Sequence, residues 1–323
     1  MAARPGKILY FLLLSIIKQV NVKPVLIFFI FFTLWTPALG APDDGKFIDS
    51  KFLFKRDDIN AYRVTYKSDG LKVNGLLFLK HVDEKLPCVI FCHDGVSGIS
   101  REHRLSSIRL ARAGYAVFCP SYRGEDGSEG SVEIAKGEVN DVLNAITLVS
   151  KIKQIDSNRI ALAGTSHGAL ICVLAASRTD KIKALVSAYG VMDIYKWWYY
   201  LKDNDKLGKD KLTRDTYGDG PDSRPKSFKI RNAVFYVKNI NCPVLILQGK
   251  KDDIVPPEQA VILKETLDKY NIKNELAIYP DCLHGFLIYA PYIEDAEKKE
   301  KEQTEAAWEL FISFLNKNLN NFR

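Results

Sequence analysis

The stretch Arg159–Cys172, RIALAGTSHGALIC, decides the architecture. Ile160–Ala163 is a short apolar run of the kind a buried strand uses, and Ala169–Ala176 is an Ala-rich apolar run suited to a buried helix. A chain that passes from strand to helix within about five residues brings its backbone against itself, so the flanking side chains must be small. Gly164 and Gly168 meet that need, and Ser166 is left at the tip with a strained backbone and a free hydroxyl. The competing reading is an ordinary glycine turn with a surface serine.

Outward from this turn the pattern repeats. Cys88–Cys92, Tyr115–Cys119, Ala184–Ser187 and Val244–Gln248 are further buried-strand runs, and Asn274–Tyr279 is expected as one more. Helical stretches are expected near 101–113, 135–152, 168–177 and 257–270, with a long charged helix over 293–319. Such alternation predicts an α/β fold, a doubly wound and mostly parallel sheet. Ahead of it, Ala61–Lys67 and Asn74–Lys80 alternate in polarity around Ser68-Asp69-Gly70, the pattern of an antiparallel hairpin. Residues 192–240 exceed what one crossover helix requires and are expected to form a lid insertion, with Trp197, Trp198 and Tyr199 as substrate-binding candidates. Aromatics that only pack the lid onto the sheet are the alternative.

Composition sets bounds. Hydrophobic residues make up 47% and charged residues 26%, an ordinary globular balance. Arg4, Lys7, Lys18 and Lys23 face no acid in residues 1–40 and carry four of the seven net positive charges. No Lys/Arg cluster interleaves with aromatics elsewhere, so nucleic acid is not expected as a partner. Ile8–Ile17 and Val25–Trp35 are apolar but each falls short of the ~18–20 residues that span a bilayer. Residues 1–40 are expected to be a signal peptide ending in small residues, or else an N-terminal anchor through residues 8–35. Residues 41–323 then form a single domain outside the cytoplasm, periplasmic or secreted. Cys88 and Cys92, four apart on one strand, stand about 13 Å apart, too far to bond. Most of the six cysteines are expected as buried free thiols, and no spacing suggests a metal.

A serine needs a base within hydrogen-bond reach and an acid to orient that base. His284, in YPDCLHGF after the last expected strand, is the one histidine that follows Ser166 beyond its immediate neighbour. The acid is sought after Val244–Gln248, in GKKDDIVPP, where Asp252 and Asp253 both stand. Oxyanion donors are expected from the backbone N–H of His167 and from Gly95 or Val96, with His93 bracing their loop.

Taken together, SDGLKVNGLLF, His93-Asp94-Gly95, SYRGEDGSEG, IDSNRIALAGTSHGA, PVLILQGKKDDIVP and YPDCLHGF resemble the catalytic domain of the prolyl oligopeptidase family, within the α/β-hydrolase fold. The resemblance runs over about residues 61–320. It implies Ser166 as nucleophile, Asp252 as acid (Asp253 being the alternative) and His284 as base, with no cofactor. Asp94 stands where the family usually has glycine, and Ala169 replaces the second glycine after the elbow. The family's β-propeller is not expected between Ala41 and the first strand. The implied function is an exported serine hydrolase of small peptides or acyl-amino acids. An esterase of the same fold and an inactive binding protein on this scaffold are the alternatives.

Overall fold

The apolar runs of the sequence become the middle of a nine-stranded sheet. In the computed structural model, residues 43–320 are described, and they belong to one compact unit, Gly40–Arg323. In chain order the elements are β1 (Phe47–Arg56), β2 (Ile59–Ser68), β3 (Leu71–Lys80), β4 (Leu86–Cys92), α1 (Arg101–Arg112), β5 (Ala116–Pro120), α2 (Gly137–Val149), β6 (Ile155–Thr165), α3 (His167–Ala176) and β7 (Ile182–Ala188). The lid helices α4 (Ile194–Asp203), α5 (Lys211–Tyr217) and α6 (Pro225–Arg231) follow. The chain closes with β8 (Val244–Gly249), α7 (Glu258–Lys269), β9 (Asn274–Tyr279), the short α8 (Phe286–Tyr289) and α9 (Lys298–Leu319). The expected leader over residues 1–40 lies outside the described residues.

Strand order is β1-β2-β3-β5-β4-β6-β7-β8-β9, antiparallel from β1 to the β3–β5 pair and parallel from there on. Strands β4, β5 and β8 are buried along their whole length, as strands covered on both faces must be. The hairpin pairs Ser68 with Leu71, so Asp69-Gly70 is a two-residue turn with both φ angles positive (49° and 80°), the geometry that matches strand twist. Strand β1 was not expected. All ten of its residues are exposed because no helix covers the sheet edge, so no alternating apolar signal marks it.

Helices cover both faces. On one, α2, α3 and α7 pack through Val142, Ile171 and Leu263; on the other, α1, α8 and α9 pack through Ile108, Leu287 and Phe311. Helix α3 is buried at every position after His167, which is why its sequence is apolar on all sides. Truncating such a leucine to alanine costs about 2–5 kcal/mol. The closing helix starts at Lys298, later than the expected 293, because α8 and a 3₁₀ turn at Ala290–Tyr292 come first. Behind the hairpin turn, the buried Asp141 carboxylate accepts from Arg123 Nη2 (2.8 Å), Arg123 Nε (3.1 Å) and Ser68 Oγ (2.6 Å). Arg123 also reaches Asp69, so one guanidinium fixes the hairpin to α2. All six cysteines are buried free thiols.

Candidate active site

The turn between β6 and α3 has no slack. A Cβ on Gly164 would stand 2.3 Å from Gly168 O, and one on Gly168 would stand 2.3 Å from Cys92 O. Ser166 adopts φ 49°, ψ −117°, a region non-glycine residues enter only under constraint, at a cost of about 1–3 kcal/mol. Its N–H donates to Ala188 O (2.9 Å), which pins the elbow to the end of β7.

At this tip three loops converge. Ser166 Oγ lies 3.0 Å from His284 Nε2, and His284 Nδ1 lies 2.8 Å from Asp252 Oδ2. A carboxylate accepts only, so Nδ1–H donates to it and Nε2 is left with a lone pair toward the serine hydroxyl. Asp252 is 4% exposed, yet its oxygens are fully engaged. Oδ1 accepts from the N–H groups of Ile254 (3.0 Å) and Val255 (2.8 Å), and Oδ2 accepts from Gln248 Nε2 (3.1 Å) as well as His284. Asp253, the alternative acid, turns outward. Its side chain pairs with Lys206 (2.9 Å), whose ammonium holds that carboxyl below the usual range.

His167 occupies the first position of α3, where a backbone N–H has no acceptor within the helix. Its ring Nδ1–H donates to Gly95 O (2.8 Å), tying the turn to the 93–98 loop, and burial disfavours its cation. His93 Nδ1–H donates to Asp94 O (2.8 Å), so His93 braces this loop from below while its Nε2 stands 3.0 Å from Glu125. The Asp94 carboxyl, raised by burial, accepts from Tyr289 Oη (2.7 Å). The residue that departs from the family pattern thus bolts the 93–98 loop to the helix behind His284. Tyr289, Gln248 and Tyr189, whose buried ring packs 5.0 Å from that of His284, were not singled out from the sequence. Gln248 alone carried a signal, as a polar residue ending a buried strand.

Beside Ser166 a cavity of about 420 Å³ opens under the lid. Trp197 and Trp198 line it together with Val96, Leu170, Ile194 and Tyr217. Tyr199 does not; it is 47% exposed and its ring meets that of Trp198 edge-on at 5.1 Å. The lid is fastened to the Asp252 loop by Trp197 Nε1–H donating to Ile254 O (3.0 Å) and Tyr200 Oη–H donating to Asp253 O (2.8 Å). The charged groups in the cavity wall are committed. Lys206 binds Asp253, and Asp210 accepts from Thr213 N and Oγ1 at the start of α5. Asp193 likewise caps α4. Among the described residues no cluster of His, Cys, Asp or Glu is placed to hold a metal ion, and no helix is long and apolar enough to cross a membrane.

Sheet order and helix placement are those of an α/β hydrolase, and the chain is a serine hydrolase of that class. The prolyl oligopeptidase family model matches residues 102–316, and the chain belongs to this family. It is 26% identical over 229 residues to the uncharacterized peptidase YtmA of Bacillus subtilis (strain 168), covering 71% of this chain and 87% of that protein. It is 30% identical over 201 residues to the putative esterase YitV of the same organism, covering 57% of this chain and 77% of that one. Among solved structures, the acylaminoacyl peptidase of Pyrococcus horikoshii superposes with a TM-score of 0.67 at 22% identity. That match covers 83% of this chain but only 43% of the other, a likeness of fold.

Proposed function

We propose that this hydrolase cleaves peptides or acyl-amino acids through an acyl-enzyme on Ser166, with His284 as base and Asp252 as its orienting acid. The observation that carries the reading is the unbroken relay of 3.0 Å and 2.8 Å from Ser166 to Asp252. His284 Nε2 takes the hydroxyl proton as Ser166 Oγ attacks the carbonyl carbon, and Asp252 stabilises the imidazolium that results. The tetrahedral oxyanion is held by the N–H of His167 at the helix N-terminus and by that of Gly95 or Val96. His284 then returns the proton to the leaving group, and water repeats the sequence on the acyl-enzyme.

The cavity supports an acyl side that is apolar and bulky. Trp197, Trp198 and Tyr217 surround a space suited to a branched or aromatic side chain, whereas an acetyl group would leave it empty. Capture of a free amino terminus needs a carboxylate turned to the substrate, and Asp210, the carboxylate of the described wall, is turned to Thr213 N and Oγ1. That favours N-acylated or internal residues over free N-termini. A second reading, ester hydrolysis, is favoured by the 30% identity to a putative esterase. Export, supported by the basic-then-apolar pattern of residues 1–40, places the reaction outside the cytoplasm.

Comparing kcat/KM for N-acetyl-phenylalanyl-p-nitroanilide, its unacetylated form and p-nitrophenyl acetate tests this reading. The acylated anilide is expected to lead the free one by about tenfold, the effect of roughly 1.4 kcal/mol. Turnover of the acetate ester with none of either anilide would favour the esterase reading instead.

A further inference from the structure

A second cavity, also about 420 Å³, lies away from Ser166 between α1 and strands β1–β3. Arg56, Arg63, Arg101 and Arg104 line it, and Asp126 is the one carboxylate in its described wall. That carboxylate is already occupied: Oδ2 accepts from Ile99 N (3.0 Å), and the group fills the space against Gly98. Among the described residues, Arg56, Arg63 and Arg104 form no ion pair. Arg101 approaches only its neighbour Glu102, at 3.5 Å and with 71% of its side chain exposed.

Helix α1 supplies its own control. Near its C-terminus Arg109 pairs with Glu305 and Arg112 with Asp57, each at 2.6 Å. There the helix dipole also favours cations. Arg101 and Arg104 stand in the first turn, where the dipole disfavours them, and both turn to the cavity. All four arginines are solvent-exposed, and apart from the approach of Arg101 to Glu102 none has an ion-pair partner among the described residues. Much of the remaining wall is apolar, with Leu53, Phe54, Leu76, Ile99, Leu105 and Ile108, and Asn74 and Ser121 add polar groups.

We infer that this cavity binds an amphipathic phosphate, its phosphoryl group on the arginines and its apolar chain along the leucine and isoleucine side chains. A carboxylate would offset only one of the excess charges. A phosphate monoester carries about −1.5 to −2 and presents three oxygens, so it meets several guanidinium forks at once. The ligand is either a free alkyl phosphate or the headgroup of a membrane lipid.

Calorimetric titration of the protein with dodecyl phosphate tests the assignment, beside dodecanoate and the neutral dodecyl maltoside. Saturable binding of the phosphate is expected, weakened about tenfold or more in R63E/R104E. In the same variant p-nitrophenyl acetate turnover should stay unchanged, which shows it folded. R63Q/R104Q, which removes charge without reversing it, serves if the first variant fails to fold. Sedimentation with phosphatidate vesicles but not phosphatidylcholine vesicles, abolished in the variant, assigns the membrane source. Binding of the soluble ligand without sedimentation assigns the free one. Equal binding by the arginine variants, or equal affinity for dodecanoate or the maltoside, overturns the inference.

Discussion

The elbow at Ser166 and the lid over it are held by opposite means. Around the elbow, backbone meets backbone: hypothetical side chains at Gly164 and Gly168 would collide with main-chain atoms that cannot move aside. The lid instead rests on its rim, through Trp197, Tyr200 and Lys206 reaching over to carbonyl oxygens of Ile254 and Asp253. An apolar cluster of Ile194, Trp198, Tyr217 and Phe228 with Val191 and Val255 joins it to the Asp252 loop. The first arrangement fixes atoms for chemistry and tolerates no change. The second joins side-chain hydrogen bonds at the rim to apolar packing that includes Val255 and to the Arg231 bonds with Glu133 O and Ile134 O.

Substitutions that break this contrast differ in size. Ser166→Ala is expected to lower kcat by about 10⁴–10⁶-fold with the fold intact, read by steady-state kinetics and circular dichroism. Asp252→Asn should cost about 10⁴-fold, because an amide no longer selects the productive imidazole tautomer. The adjacent Asp253→Asn should leave kcat within a few-fold, because its side chain binds the lid lysine and not His284. In the elbow, Gly168→Ala is expected to destabilise by about 3 kcal/mol, measured by urea unfolding, since its Cβ would meet Cys92 O. In the lid, Trp197→Phe removes one hydrogen bond to Ile254 and keeps the ring. KM should rise by about 3–10-fold at nearly constant kcat, a loss on the order of 1 kcal/mol.

A pH measurement sharpens the comparison further. Burial holds His103 neutral, well below its ordinary value of 6.5, where it packs 5.2 Å from Phe91 and lies 3.2 Å from Thr165 Oγ1 at the end of β6. The unfolded chain takes up a proton there that the folded one refuses. Stability should therefore fall as pH drops below about 6.5, by up to about 1.4 kcal/mol per pH unit for this group. His103→Gln is expected to reduce that slope, read from urea midpoints between pH 5 and 7.

The parallel strands and the elbow were legible because burial on both faces demands uninterrupted apolar runs, and close approach demands glycine. Strand β1 was not legible, since an edge with both faces in water leaves no pattern in FIDSKFLFKR. Asp252 and Asp253 are chemically identical neighbours in sequence; only the family resemblance favours Asp252 there, and burial and the contact with His284 separate them in three dimensions. Tyr199 shows the same limit. It belongs to the aromatic run that marked the lid, but the helix turns it to solvent.

The most direct measurement is reaction of the protein with a fluorophosphonate, followed by mass spectrometry of the labelled peptide. The account predicts a single adduct on Ser166 that forms with the wild-type protein and disappears in Ser166→Ala. A folded wild-type protein that takes no label, or one labelled elsewhere, would contradict it.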